Sequence, residues 1–261
     1  MDALRLLREG ELEVRGRLIV SSNAALLCTV GLPPVAASAI YKPIRFERPL
    51  WDFPDGTLAH REVAAFLVSE ATGWGIVPPT VLRDGPAGPG MVQLWIDEDA
   101  ALDAWDLVQS ADPRLRPMAV FDAVVNNTDR KGGHIVPVRL DAGEPDEPGE
   151  AEAGGAEAAG AGEAGDGALH LYGVDHGVCF SDEPKLRTVL WAWRGTPLSP
   201  AELDVLGRLR ADLDGDLGRG LRQLLAPEEI RATRDRIEAL LADGRFPLPL
   251  PDRPAIPWPP F

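Results

Sequence analysis

The stretch FDAVVNNTDRKGGHIVPV, residues 121–138, decides the fold of this chain. It begins apolar, turns polar at Asn126 and ends apolar again. Apolar side chains recur at helical spacing over residues 116–125, which predicts an amphipathic helix that ends where the polar letters begin. A short strand is expected at residues 135–138, so the polar letters between the two elements form a loop.

This loop carries the residue types that phosphoryl transfer uses. Asp129 is a carboxylate able to accept the proton of an attacking hydroxyl, and His134 follows five residues later, where a metal ligand is expected. Loops held between regular elements often carry such groups. The same letters also suit a helix stop followed by a turn at Gly132 and Gly133, so the loop alone leaves both interpretations open.

The composition narrows the function classes. The chain has 261 residues, of which 45% are hydrophobic, enough for one large domain or two lobes around a cleft. Its formal net charge of −15 argues against nucleic-acid binding and against a stable polybasic membrane anchor. Cys28 and Cys179 lie in apolar runs, as small buried side chains do, which suits a reducing compartment. The sequence shows neither a signal peptide nor an apolar segment long enough to span a membrane, so the protein is expected to be cytoplasmic.

The first part of the chain reads as a β-rich lobe with one long helix. Strand patterns occupy residues 12–20, 25–30, 36–43 and 75–97, and the last stretch holds two strands around a Pro/Gly turn. Helical spacing runs from residue 58 to residue 72 and stops at Gly73. Lys42 ends the third strand and Glu62 lies early in the helix, so the two are candidate partners.

The later part reads as mainly helical. A strand at residues 169–174 leads into Asp175, a carboxylate beside a glycine at a strand end, which suits a metal ligand or an ordinary turn. Helix starts are predicted at Ser199, with Pro and Glu in the capping positions, and again at Ala226.

Two segments have compositions that disfavour regular structure. Residues 141–168 contain only Ala, Gly, Glu, Asp and Pro and are predicted to be a disordered acidic insertion in a hairpin loop. Residues 245–261 are too rich in proline for helix or sheet. Either segment could contact a protein partner, although a passive insertion is the favoured interpretation of the first.

Taken in chain order, these motifs resemble the phosphatidylinositol 3/4-kinase-like branch of the protein-kinase fold, above all the type II phosphatidylinositol 4-kinases and an actinobacterial set similar to them. The likeness runs from about Val20 to Ser199. Residues 127–130, Asn-Thr-Asp-Arg, are similar to the catalytic loop, and residues 174–177, Val-Asp-His-Gly, to the metal-binding triplet. The ATP-binding residues that the resemblance implies are Ser22, Asn23, Lys42, Glu62, Gln93, Leu94, Trp95 and Ile96.

The resemblance implies an α+β, bilobal protein-kinase-like fold. A β-rich N-lobe would span residues 1–96 and a mainly helical C-lobe residues 97–261, with ATP between them. Asp129 would be the catalytic aspartate, and Asp175 and His134 would hold Mg²⁺ or Mn²⁺. His134 stands where the family has an asparagine. Because imidazole is a poorer ligand for Mg²⁺ than a carbonyl oxygen, a preference for Mn²⁺ or for a single metal ion stays open.

The function implied is transfer of the ATP γ-phosphate to the hydroxyl of an unknown acceptor, which could be a protein, a small molecule or a lipid headgroup. The lipid is the least favoured, because the chain lacks the cysteine-rich segment of the eukaryotic lipid kinases and an acidic chain is repelled by anionic membranes. Two alternatives stay open: a nucleotide-binding pseudokinase that regulates a partner, and the same fold transferring AMP.

Overall fold

We describe the chain from a computed structural model, in which residues 2–18, 25–140 and 168–261 are described. Two predictions lie outside these residues. One is the phosphate-covering turn with Ser22 and Asn23, and the other is the acidic insertion, all of which except its last residue falls in the gap.

An antiparallel five-stranded sheet forms the first lobe. Its strands are β1 (Glu11–Arg17), β2 (Leu26–Leu32), β3 (Val35–Pro43), β4 (Thr80–Gly85) and β5 (Gly88–Leu94), and a short helix α1 (Ala3–Glu9) precedes them. The order across the sheet is β1-β2-β3-β5-β4, so β3 is the central strand. Lys42 on β3 lies opposite Met91 of β5. The predicted strands are therefore present, and the one with the lysine is flanked on both sides.

The ring of Tyr41 lies close to two glycines of the β4–β5 hairpin. Tyr41 is fully buried, and its hydroxyl donates a hydrogen bond to the carbonyl of Gly88. A Cβ atom at Gly85 would lie 2.7 Å from Tyr41 Cζ, and one at Gly90 would lie 2.8 Å from Tyr41 Cε2. Glycine at both positions therefore leaves room for the ring, which packs β3 closely against the β4–β5 hairpin.

The long predicted helix is α2 (Leu58–Thr72). Gly73 ends it in the left-handed conformation at φ 73°, which a residue without Cβ adopts freely. The helix packs on β4 and β5 on one side and joins the core of the helical half on the other, where Phe66 and Val68 are buried. The side chains of α2 can therefore reach both halves of the molecule.

The second half is mainly helical, as predicted. Its helices are α3 (Ala104–Gln109), α4 (Arg116–Val125), α5 (Pro200–Asp212), α6 (Asp216–Leu221) and α7 (Pro227–Asp243), and a hairpin joins β6 (Ile135–Leu140) to β7 (Ala168–Gly173). The capping box at the start of α5 is present: Ser199 Oγ accepts from the Glu202 amide at 3.2 Å, and Glu202 Oε2 accepts from the Ser199 amide at 2.7 Å.

Cys28 and Cys179 are both free and buried, as their apolar surroundings predict. Residues 245–261 contain no helix or strand apart from one isolated bridge at Arg245, and Phe246 is the aromatic residue of this segment that enters the core. Among the described residues, every helix is too short or too polar to cross a bilayer.

A buried arginine ties α2 to the helical half. Arg61 is 1% exposed, donates to the carbonyl of Cys179 at 2.7 Å and pairs with the carboxylate of Glu229 near the start of α7. Its guanidinium also lies 4.7 Å above the ring of Phe53. The other oxygen of Glu229 accepts from the amide of Ala226 at 2.9 Å. This contact holds α2 in one position relative to α7.

We expect Arg61→Ala to cost about 3–5 kcal/mol of unfolding free energy, because it leaves the Glu229 carboxylate buried without its cation. The matched control is Arg210→Ala, which removes an exposed pair with Glu238 and should cost less than about 1 kcal/mol. Urea unfolding followed by circular dichroism measures both. Equal costs for the two variants would contradict the role given to Arg61.

Candidate active site

A cleft of about 620 Å³ lies between the sheet and the helical half. Eight of the residues chosen from sequence line its wall: Lys42, Gln93, Leu94, Trp95, Ile96, Asp129, His134 and Asp175. Glu62 lines a small adjoining pocket together with Lys42. Residues separated by up to 133 positions in the chain therefore meet in one cleft.

Lys42 is held between two carboxylates. Its Nζ lies 2.6 Å from Glu62 Oε1 and 2.9 Å from Asp175 Oδ1. Burial lowers the pKa of Lys42, but the charges of Asp175 and Glu62 more than offset this effect, so the net pKa is raised. The side chain is therefore a fixed cation on the floor of the cleft.

Glu62 connects α2 to the segment after β7. The residue is 1% exposed, and burial raises the pKa of its carboxyl while Lys42 opposes the rise. Its second oxygen, Oε2, accepts a hydrogen bond of 2.8 Å from the backbone amide of His176. One carboxylate thus orients Lys42 and also fixes the backbone next to Asp175.

Asp175 follows β7 in a strained backbone conformation. Its φ is 61°, which is uncommon for a residue with a Cβ and persists only where the surroundings enforce it. The cation of Lys42 lowers the pKa of Asp175 strongly, although burial opposes this. Its side chain remains 48% exposed, so a charged oxygen faces the cleft.

His134 faces Asp175 across the cleft. Its Nε2 lies 3.7 Å from Asp175 Oδ2, longer than a hydrogen bond. Burial lowers the pKa of His134, which favours the neutral imidazole that ligates metals. Its Nδ1 is buried and has no hydrogen-bond partner among the described residues.

The pair fits a divalent cation that is only partly held by protein. One carboxylate and one neutral imidazole supply two ligands, and no group of three His, Cys, Asp or Glu side chains that could hold a metal occurs within residues 2–18, 25–140 and 168–261. Mg²⁺ in phosphoryl-transfer sites is usually bound by one or two carboxylates together with phosphate oxygens and water, which Asp175 fits, whereas the imidazole of His134 suits a softer divalent cation better.

The loop that carries Asp129 rests on a fully buried ion pair. Arg130 and Asp122 are both 0% exposed, and Arg130 donates to Asp122 from Nε at 3.0 Å and from Nη2 at 2.9 Å. Arg130 Nη1 also reaches the carbonyls of His134 and Val174, each at 3.2 Å. A single guanidinium therefore joins α4, the loop and the end of β7.

Asparagines shape the start of the loop. Asn126 ends α4 in the left-handed conformation at φ 51°, and its side-chain amide donates to the carbonyls of Ser181 and Glu183. Asn127 Oδ1 accepts from the amide of Asp129 at 2.9 Å. The helix stop that the letters allow is therefore real, and it aims the aspartate into the cleft.

Sequence reasoning missed Lys131. Its Nζ lies 3.1 Å from Asp129 Oδ2, and both residues line the cleft. The side chain of Asp129 is 31% exposed. The signal was present, because Lys131 lies two positions after the candidate catalytic carboxylate, where a loop brings it to the same side. A second lysine therefore lines the cleft together with Lys42.

The stretch chosen for adenine is used differently along its length. Gln93 is buried in the cleft wall, and its side-chain amide is engaged with Thr80 Oγ1 at 2.8 Å. The amides of Leu94 and Trp95 donate to the carbonyls of Pro79 (2.9 Å) and Ser38 (3.0 Å). These two backbone amides are therefore already used within the protein, and Ile96 is the next residue along the cleft wall.

We expect Asp122→Ala to lower Tm by roughly 6–12 °C, because Arg130 is then buried without its anion. Asp214→Ala is the matched control: it removes an exposed carboxylate from its pair with Arg234 and should shift Tm by no more than a few degrees. Differential scanning calorimetry measures both variants. A shift for Asp122→Ala as small as that of the control would show that the buried pair does not support the loop.

A comparison with curated proteins finds a relative in Mycobacterium tuberculosis (strain ATCC 25618 / H37Rv). The relative, "Protein Rv2133c", is 40% identical over 295 aligned positions, which span all of this chain and 96% of the relative. The chain therefore belongs to the same family as this mycobacterial protein. No family model matches the chain.

Two solved structures with the same architecture are kinases. The Golgi casein kinase superposes with a TM-score of 0.56 at 14% identity, over 92% of this chain and 74% of that chain. The Helicobacter pylori proinflammatory kinase CtkA superposes with a TM-score of 0.51 at 10% identity, over 89% of this chain and 92% of that chain. The predicted bilobal, α+β, protein-kinase-like fold is confirmed.

Proposed function

We propose that the chain is an ATP-dependent phosphotransferase that moves the γ-phosphate of ATP to a hydroxyl acceptor. The observation that carries this proposal is the position of Lys42, which is held between Glu62 and Asp175 in a cleft that Asp129 and His134 also line. Phosphoryl transfer depends on positioning and on charge stabilisation, and this arrangement supplies both.

Lys42 is assigned to the α- and β-phosphates of ATP. The raised pKa of Lys42 keeps the side chain cationic. Glu62 holds its ammonium group by an ion pair, and Lys42 also lines the cleft. Phosphate oxygens would take over part of the contact that Asp175 makes with the lysine. The ion pair with Glu62 keeps the ammonium in place during that exchange.

Asp175 and His134 are assigned to a divalent cation, Mg²⁺ or Mn²⁺. When bound, such a cation neutralises the charge of the phosphate groups. The lowered pKa of Asp175 keeps its carboxylate anionic, and the lowered pKa of His134 keeps its imidazole free to ligate. Arg130 holds the backbone on both sides of this pair, through the carbonyls of His134 and Val174.

Asp129 is assigned to the acceptor hydroxyl, which it would orient and deprotonate. Lys131, now paired with Asp129, is assigned to the transferred phosphoryl group, where its charge would offset that of the phosphate oxygens. The adenine would lie along the wall that follows β5, with hydrogen bonds shifted toward Ile96 because the preceding amides are already engaged.

Within the kinase fold, we place the chain nearest the phosphatidylinositol 3/4-kinase-like branch because of the order of its motifs. We favour a protein or small-molecule acceptor over a lipid headgroup. The net charge of −15 disfavours approach to an anionic membrane.

We expect Asp129→Ala and Asp175→Ala each to lower ATP turnover by roughly 10²–10⁴-fold. The control is Asp204→Ala, an exposed carboxylate on α5 that should keep wild-type turnover. Turnover is measured with Mg²⁺ and with Mn²⁺ in cell extract as a source of acceptor, and the product is weighed by mass spectrometry.

A gain of phosphate in the product supports the proposal, whereas a gain of AMP would replace it with AMP transfer. Metal-dependent ATP binding without turnover in any extract would favour the pseudokinase. Equal turnover in Asp129→Ala and the wild type would remove Asp129 from the mechanism.

We also expect Lys131→Met to lower kcat by about 10- to 100-fold with little change in the KM for ATP, because its charge is needed mainly as the phosphoryl group is transferred. Lys131→Arg keeps the charge and should recover part of the loss. Steady-state kinetics over a range of ATP concentrations separates the two parameters. A rise in KM at constant kcat would instead assign Lys131 to ground-state nucleotide binding.

A further inference from the structure

The last residues of the chain lie directly against the loop that carries Asp129. The backbone amide of Gly132 donates a hydrogen bond of 2.9 Å to the carbonyl of Pro260. The ring of Phe261 packs edge-on against Trp105 of α3, with ring centroids 5.9 Å apart. Gly132 thus lies in a contact made by two residues of the 255–261 segment and by one residue of α3.

The fit at Gly132 is tight. A Cβ atom there would lie 2.5 Å from Phe261 Cδ2 and 3.2 Å from Trp105 Cε3. Gly132 is not among the glycines with positive φ, so its backbone conformation is open to alanine. Glycine is therefore required at this position by the neighbouring rings. The loop and the 255–261 segment pack closely against each other here.

A second set of backbone bonds joins the same two segments through a third. Arg130 donates to the carbonyl of Arg187 at 3.1 Å and accepts from the amide of Val189 at 3.1 Å. The amide of Thr188, between them, donates to the carbonyl of Ala255 at 3.1 Å. The loop, residues 187–189 and the 255–261 segment therefore lie side by side.

The place of contact matters because Gly132 lies between Asp129 and His134. Holding Gly132 fixes the turn that sets the separation of these two side chains. A misplacement of about 1 Å in such a group can reduce a rate by about 10²-fold. Phe261 itself remains 59% exposed, so it adds little to the core. We therefore expect its removal to make the loop more mobile rather than to destabilise the whole protein.

We propose that Pro260 and Phe261, within the 255–261 segment, position the candidate active site, with Phe261 as the principal side chain. Neither residue lines the cleft, and the pair acts through Gly132 on the spacing of Asp129 and His134. The proposal rests on the proposed function for its kinetic consequence, while its structural consequence can be measured without any turnover.

The test compares Phe261→Ala with Trp258→Ala, an aromatic residue of the same segment that is 86% exposed. For Phe261→Ala we expect faster hydrogen–deuterium exchange in peptides covering residues 127–134. We also expect kcat to fall by about 10- to 100-fold with the KM for ATP nearly unchanged. Trp258→Ala should match the wild type in both measurements, and Tm should change little in either variant.

A double-mutant cycle tests the contact itself. Gly132→Ala should also lower kcat, because its methyl group displaces the Phe261 ring. Once Phe261→Ala has removed that ring, adding Gly132→Ala should cost much less, so the two losses should not add. Fully additive losses would overturn the assignment of Phe261 to this contact.

The failures of the two proposals can be told apart. If the wild type has no turnover, the exchange of residues 127–134 still decides whether Phe261 holds the loop, and unchanged exchange overturns the positioning role. If the wild type is active, faster exchange with unchanged kcat also overturns it. In an active protein, slower turnover together with faster exchange supports it; in a protein without turnover, faster exchange alone does.

Discussion

The arrangement of the cleft depends on one ammonium group held between two carboxylates. Lys42 comes from the central strand of the sheet, Glu62 comes from α2, and Asp175 is the second residue after β7, so a single contact joins both lobes. Removing these charges from water costs free energy. The attraction between the ammonium and the two carboxylates offsets this cost only when their distances are kept short. The position of α2 is accordingly fixed a second time, by the buried contact between Arg61 and Glu229.

The buried ion pair of Asp122 and Arg130 holds the loop that carries Asp129 in place. Both residues are fully buried, and the guanidinium of Arg130 also donates to the backbone carbonyls of His134 and Val174. The charged residues that face the cleft are therefore supported by charged residues that do not. Such support is what a site needs when its function rests on positioning. The 255–261 segment adds a further layer, bonded to the loop at Gly132.

Much of this fold could be predicted from local patterns. Helical spacing and a following glycine mark α2, and the change from apolar to polar letters marks the end of α4. The short helix α6 was not predicted, because two glycines interrupt its sequence and tertiary packing stabilises it instead. Asp122 was not singled out either, since nothing local says that a carboxylate on an apolar helix has its cation eight residues later. The contact of Phe261 with Gly132 depends on distant segments meeting and has no local signal.

The proposed function requires the cleft to bind a nucleotide through Lys42 and a metal ion. Isothermal titration calorimetry of the wild-type protein with ATP, first with Mg²⁺ and then with excess EDTA, tests it most directly. The account predicts saturable binding of one ATP per chain, weakened at least tenfold when the metal is removed and also weakened by Lys42→Met. Absence of ATP binding under both conditions, or binding that is indifferent to the metal and to Lys42, would contradict the account.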